Sequence, residues 1–202
     1  MGDNNFNSFV MQHPSIAILG YLGAGKTAMA VTIAKLFYLY CEKNGLKDYK
    51  VFANFDIDLP NFKKVKAHDI VNFSSWLKDG ILIIDEVHSE GGDSYNFLGK
   101  IEKKMTTFFT QIRKRNLAVI TTSQDMTFVL PRIRRLTYFY IHAVKLNEKD
   151  SLMRVVSKEG YQTINEIPVD LSLVYDLYDT NEIITNEEIK EIEELVKLDG
   201  TK

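Results

Sequence analysis

The most reactive stretch of the chain is Gly20-Tyr21-Leu22-Gly23-Ala24-Gly25-Lys26-Thr27. The run satisfies G-x-x-x-x-G-K-[ST] and lies between the apolar Ile16-Ala17-Ile18-Leu19 and an apolar stretch from Ala28 to Cys41. In that strand–loop–helix setting the pattern describes a phosphate cradle. Its glycines turn consecutive backbone N–H groups inward, and the helix starting near Gly25 adds its positive end. Gly20 through Thr27, with Ala28 after them, are the expected nucleotide contacts. Lys26 is expected to reach the β- and γ-phosphates, and the Thr27 hydroxyl to sit on Mg²⁺. The plain alternative, a glycine-rich turn before a helix, does not explain eight residues in register.

A second group ends the aliphatic run Ile81-Leu82-Ile83-Ile84 with Asp85-Glu86-Val87-His88. Ligands of open α/β sheets bind beyond the carboxyl ends of strands, which places Asp85 beside Thr27 as the expected Mg²⁺ aspartate. Glu86, one residue on, is the expected base for the attacking water. Gln124, at the end of Leu117 to Thr122 and Ser123, is the expected sensor of water or γ-phosphate. Arg113 and Arg115, ahead of that strand, are the favoured arginines to complete the charge of a neighbouring subunit's site. Arg132, Arg134 and Arg135 are the other candidates, and a solvated helix end or a phosphate contact is the plain reading of all five. His88 reads as a phosphate or nucleic-acid sensor or as a polar residue behind the acids. Cys41 is the only thiol, and His13, His68 and His142 lack ligand spacing, so no zinc site is expected.

These groups need a frame. Strands are expected over Ser15–Leu19, Lys50–Phe55, Ile81–Ile84, Leu117–Thr122, Thr137–Val144 and Leu152–Ser157, the last two antiparallel. Helices are expected from the phosphate loop to about Lys43, where Asn44-Gly45 stops the chain, and over Asn96–Arg115. Shorter helical pieces are expected at Asp69–Trp76, Phe128–Arg135 and Asp170–Tyr178. The first long helix is so apolar that both its faces should meet something. Thr185 caps a further helix to Leu198, with Ile189, Ile192, Leu195 and Val196 on one side. The alternation of strands and helices calls for an α/β three-layer α/β/α sandwich with a mostly parallel sheet and antiparallel strands toward the C-terminus. Residues 14–182 form the expected ATPase domain, after an arm of residues 1–13 and before an acidic helix of residues 183–202.

Composition bounds the function. At 202 residues and 45% apolar content the chain can bury one substantial core. One cysteine excludes an internal disulfide framework, and no run of 18 apolar residues is present. The net charge of −2 is uneven, because residues 182–202 hold seven acidic and three basic side chains. No polybasic surface announces nucleic-acid binding.

The Gly20–Thr27 and Ile81–His88 segments, Thr110-Gln111-Ile112-Arg113-Lys114-Arg115-Asn116, Thr121–Gln124 and Pro131-Arg132-Ile133-Arg134 together resemble the zonular occludens toxin-like group. Asn54-Phe55-Asp56 and Tyr178-Asp179-Thr180-Asn181-Glu182 resemble it too. These are P-loop ATPases of filamentous phages and related archaeal viruses or mobile elements, within the FtsK–HerA class of DNA-pumping motors. The resemblance covers residues 14 to 182 and implies a Mg²⁺-dependent ATPase in a homo-oligomeric, hexameric ring. It implies a motor that moves double-stranded DNA into a virus particle, with capsid or other virion proteins as partners, in the cytoplasm of the infected host. Lys26, Thr27, Asp85, Glu86 and Gln124 then take the Walker A, Walker B and sensor roles. Phage members carry a transmembrane segment and a periplasmic tail; neither is expected from these 202 residues, and a soluble packaging motor is the expected form. A nucleotide-gated assembly scaffold and a small-molecule P-loop kinase are the competing functions; Glu86, Gln124 and the missing basic lid weigh against the kinase.

Overall fold

A computed structural model describes residues 14–85, 104, 106–129, 131–157 and 162–179. Eight strands form one sheet in the order β3-β2-β4-β5-β1-β6-β7-β8. They are β1 (Ser15–Leu19), β2 (Lys50–Ala53), β3 (Phe62–Lys64), β4 (Gly80–Ile84), β5 (Leu117–Ser123), β6 (Phe139–Lys145), β7 (Asp150–Ser157) and β8 (Thr163–Asp170). From β3 to β6 every neighbouring pair is parallel; β7 and β8 add antiparallel. Every residue of β1, β4 and β5 is buried. That is why these runs show no polar alternation: both faces are covered.

One face is covered by α1 (Lys26–Lys43), whose Met29, Ile33 and Phe37 pack with Ile16, Ile18 and Ile120. The other is covered by Phe108, Ile112 and Ile133 against Leu82, Leu117 and Val119. The fold is the expected mixed α/β sandwich, parallel at its centre and antiparallel toward the C-terminus. α1 ends at Lys43, and Gly45, at φ +67°, turns the chain away. Its outer face departs from expectation: Leu36 and Leu39 are 44% and 50% exposed.

Several other boundaries differ. The second strand stops at Ala53, because Asn54 turns its amide toward the neighbouring strand end. Two strands were not anticipated. β3 is three residues at the sheet edge, and β8 alternates exposed and half-covered positions in Thr163–Asp170, with Pro168 tolerated on an edge strand. The helix expected over Asp69–Trp76 spans Ala67–Val71. Of the helix expected over Asn96–Arg115, residues 106–111 are helical and Ile112–Arg115 tighten into a 3₁₀ turn before Asn116, at φ +52°. Lys104 is helical as well, while residues 96–103 and 105 lie outside the described residues. The segment Phe128–Arg135 divides into a 3₁₀ turn at Met126–Phe128 and a helix at Pro131–Leu136, with proline at its first position. The β6–β7 turn is set by Asn147, whose Oδ1 accepts from the backbone N–H groups of Lys149 and Asp150, both at 2.8 Å. A 3₁₀ helix at Leu171–Leu177 follows β8, capped by Asp170, and packs on α1. The arm at residues 1–13 and the acidic helix at 183–202 lie outside the described residues.

Candidate nucleotide site

The phosphate loop is the turn from β1 into α1, and its conformation follows from its glycines. Gly23 and Gly25 hold φ +74° and +86°, values that cost a side chain about 1–2 kcal/mol. The loop is fastened at both ends. The Gly20 N–H donates to the Ser123 carbonyl at 3.3 Å, and the Met29 N–H to the Gly25 carbonyl at 2.8 Å. The Ser151 hydroxyl reaches the Ala24 carbonyl at 3.2 Å, and Leu171 packs over Gly25. Tyr21 and Leu22 form the exposed rim. Lys26 is buried, with its ammonium donating to the Tyr21 carbonyl at 3.1 Å. Ala28 is buried, which leaves its backbone N–H as the group that can face phosphate.

Asp85 stands where β4 ends. The Thr27 hydroxyl donates to one of its carboxylate oxygens at 2.9 Å, and the Thr122 hydroxyl donates to the other. Its backbone is clamped by Asn54: the Asp85 N–H donates to Asn54 Oδ1 at 2.8 Å, and Asn54 Nδ2 to the Asp85 carbonyl at 3.1 Å. β2 and β5 flank β4, so strand order alone brings Asn54, Asp85 and Thr122 together. Gln124 follows the residue of β5 that pairs with Leu19, and so lies next to the start of the loop, half-buried. Glu86 and His88 lie outside the described residues.

The donor set fits a hard cation. Thr27 and Asp85 offer oxygen only, and among the described residues no three His, Cys, Asp or Glu gather elsewhere. Mg²⁺ characteristically takes one or two protein oxygens plus phosphate and water. The phosphate loop also borders a cleft of about 560 Å³ over β6 and β7, where His142 and Arg154 face each other across the strands. Burial, and then the Arg154 charge, hold the His142 imidazole below its usual pKa, which favours its neutral form. Arg154 itself meets Glu166 at 2.6 Å. Tyr178 packs edge-on to Phe55, and burial pushes its phenol up to about 12, with Tyr175 and Asp85 adding to the effect.

Thr122, Asn54, Ser151 and Leu171 received no role from sequence. Asn54 and Thr122 had a signal, as polar residues at the ends of buried strands. Ser151 and Leu171 had none, since their relation to the loop exists only once β7 and the 3₁₀ helix fold back.

The two favoured arginines lie at the amino end of β5, across the sheet from the loop. Arg115 spends its guanidinium within its own chain, donating to the carbonyls of Phe73, Ser74 and Leu77 at 3.0, 2.9 and 3.1 Å. It also lies over the Phe73 and Phe108 rings. This arrangement pins the 73–77 turn and does not serve a side chain that must reach another subunit. Replacing Arg115 with alanine is expected to destabilise the fold by about 2–4 kcal/mol in urea unfolding, since three carbonyls lose a charged donor. Lysine should not rescue it, because a point donor cannot span the three carbonyls. Arg113 is exposed and lines a cleft of about 570 Å³ with Phe109, Arg135 and Tyr138. Arg134 is half-buried and Arg135 exposed on the Pro131–Leu136 helix.

Among the described residues no helix is long and apolar enough to cross a membrane. The N-terminal domain of zonular occludens toxin from Neisseria meningitidis matches 83% of this chain and 100% of its own, at TM-score 0.58 and 18% identity, which shows a shared fold. The genome packaging NTPase B204 from Sulfolobus turreted icosahedral virus 2, in complex with ATP-gammaS, matches 77% of this chain and 96% of its own, at TM-score 0.44 and 11% identity. No curated protein sequence matches. The model of the ATPase family associated with various cellular activities (AAA) matches residues 16–145. That span runs from the second residue of β1 to the end of β6 and takes in Lys26, Asp85 and Gln124 together, and the chain belongs to this AAA family of ATPases.

Proposed function

We propose that this ATPase is a DNA translocase of the FtsK–HerA class, acting as a homo-oligomeric ring that packages the genome of a virus or mobile element. The observation that carries the ring is the separation of charges. Lys26, Thr27, Asp85 and Gln124 gather at the carboxyl edge of the sheet, while Arg113 lies at the opposite edge. A hexamer stacked head to side brings that arginine to the next subunit's phosphates. With Arg115 engaged in its own chain, Arg113 is the favoured residue for this role.

Within one subunit, backbone N–H groups of residues 23–28 and the Lys26 ammonium bind and orient the phosphates. Thr27 and Asp85 would hold Mg²⁺, which supplies neutralisation of charge on the β- and γ-phosphates when bound. Glu86 takes the proton of the attacking water, and Gln124 orients that water and reports the loss of γ-phosphate through the Asp125–Phe128 turn. The basic Arg132–Arg135 segment and the polar residues 89–94, which lie outside the described residues, are the parts that would touch DNA. Such contact is with the backbone, carries no sequence preference and weakens steeply with salt. The motif set shared with the zonular occludens toxin-like group supports the motor reading, as does the Asp-Glu pair, which a kinase does not need.

The test measures ATPase rate and assembly mass with and without double-stranded DNA. A rise in rate on DNA together with a ring-sized mass is expected. A rate indifferent to DNA would instead favour a nucleotide-gated scaffold in virion assembly. Glu86→Gln is expected to keep ATP affinity within about twofold and to reduce turnover by at least about 100-fold. Turnover that survived this change would reassign the base.

A further inference from the structure

We propose that Tyr178 is a further nucleotide-binding residue, donating a hydrogen bond from its phenol hydroxyl to an oxygen of the nucleotide held beside Asp85. This rests on nucleotide binding by the ATPase domain and not on the motor reading. Two segments that carry the family resemblance without a role, Asn54-Phe55-Asp56 and Tyr178-Asp179, meet in the fold. The Asp58 N–H donates to the Leu177 carbonyl at 2.7 Å, and the Phe55 and Tyr178 rings stand edge to face with centroids 6.2 Å apart. Phe55 is buried and directly follows Asn54, whose amide clamps the Asp85 backbone at 2.8 and 3.1 Å. That run of contacts brings Tyr178 to the strand end where the Asp85 carboxylate stands.

The segment that delivers this ring is fixed along its length. The Leu171 N–H donates to the Lys149 carbonyl at 2.8 Å, and the Leu171 side chain packs over Gly25. Lys35 donates to the Leu173 carbonyl at 2.9 Å. The 3₁₀ helix Leu171–Leu177 therefore starts on the phosphate loop and ends beside the strand end of Asp85, and a ring held there meets a ligand with little reordering. Its two tyrosines differ in one respect. Tyr175 gives its hydroxyl to the Glu148 carbonyl at 2.9 Å. The Tyr178 hydroxyl has no hydrogen-bond partner among the described residues, although the residue is half-buried. A tyrosine with a covered ring ordinarily finds its hydroxyl a partner. Burial first, then Tyr175 and the Asp85 charge, push the phenol up to about 12, so it is a neutral donor and not a base. Phosphate and ribose oxygens are the acceptors a nucleotide offers to it.

The test uses Tyr178→Phe in the full chain, which keeps the ring against Phe55 and removes only the hydroxyl. The dissociation constant for ATP, measured without DNA by displacement of a fluorescent ATP analogue, is expected to rise about 3–10-fold. The melting temperature of the nucleotide-free protein is expected to stay within about 1 °C of native. Inorganic triphosphate as competitor then locates the acceptor. An equal loss of its affinity assigns the contact to a phosphate oxygen, a loss for ATP alone assigns it to the ribose, and either result supports the proposal. Unchanged ATP affinity would overturn it. So would a loss accompanied by a fall of several degrees in the melting temperature of the empty protein, which would make Tyr178 a packing residue. ATP binding by the native chain in the same assay separates failure of this contact from failure of the nucleotide site.

Discussion

Replacing Asp85 with alanine is expected to lower ATP turnover by at least about 100-fold while the protein remains folded. The expectation rests on how the carboxylate is held. Two hydroxyls, Thr27 and Thr122, fix its oxygens, and Asn54 clamps its backbone from the neighbouring strand. Such support holds a ligand at a fixed position beside the phosphate loop. Alanine leaves the Asn54 clamp intact, so the strand end keeps its place, and losing two hydroxyl contacts should cost only about 1–2 kcal/mol of stability. Asp85→Asn separates charge from shape. It keeps the size of the side chain but removes the negative charge, and it should be nearly as inactive as alanine. Steady-state turnover over a Mg²⁺ titration, with melting curves of both variants, measures this. Native turnover in Asp85→Asn would remove Asp85 from metal binding.

Gly25→Ala should damage the protein in a different way. The position has φ +86°, and an added Cβ would lie 2.3 Å from Leu171 Cδ1 and 3.3 Å from Ser151 Oγ. Leu171 is itself buried, so it cannot simply swing aside. The loop must deform, or the Leu171–Leu177 segment must lift. Nucleotide affinity is expected to fall about 10–100-fold, and the melting temperature by several degrees. Gly23→Ala is the internal comparison. Gly23 has φ +74° but nothing within 4 Å of the added atom, so it bears the backbone cost alone, about 1–2 kcal/mol. Combining Gly25→Ala with Leu171→Ala should recover part of the lost affinity. Titration with a fluorescent ATP analogue decides the matter; equal losses at Gly23 and Gly25 would refute the packing argument.

Much of the site was legible in the chain because its information is local. Gly23 and Gly25 shape the loop through their own backbone, and Lys26 and Thr27 follow in the same turn, so the pattern carries its own geometry. The central strands were legible for a related reason: burial on both faces demands unbroken aliphatics, as in Ile81–Ile84. Edge elements were not. β3 and β8 expose much of their surface, so their residues need no strong pattern, and pairing with β2 and β7 alone makes them strands. Arg115 shows the same limit. A run of cations at a helix end looks available for a partner, and only the fold places three carbonyls around one of them.

Local residue order sets where the loop turns and which acid stands opposite Thr27. Tertiary structure decided what holds that acid: Asn54 and Thr122, 31 and 37 residues away along the chain, meet it because β2 and β5 flank β4. It also decided that Gly25 has no room for a side chain, since Leu171 arrives from the far end of the described domain. The division has one physical cause. Backbone conformation is set by the residues that adopt it, whereas close packing is set by whichever segments the sheet order makes neighbours.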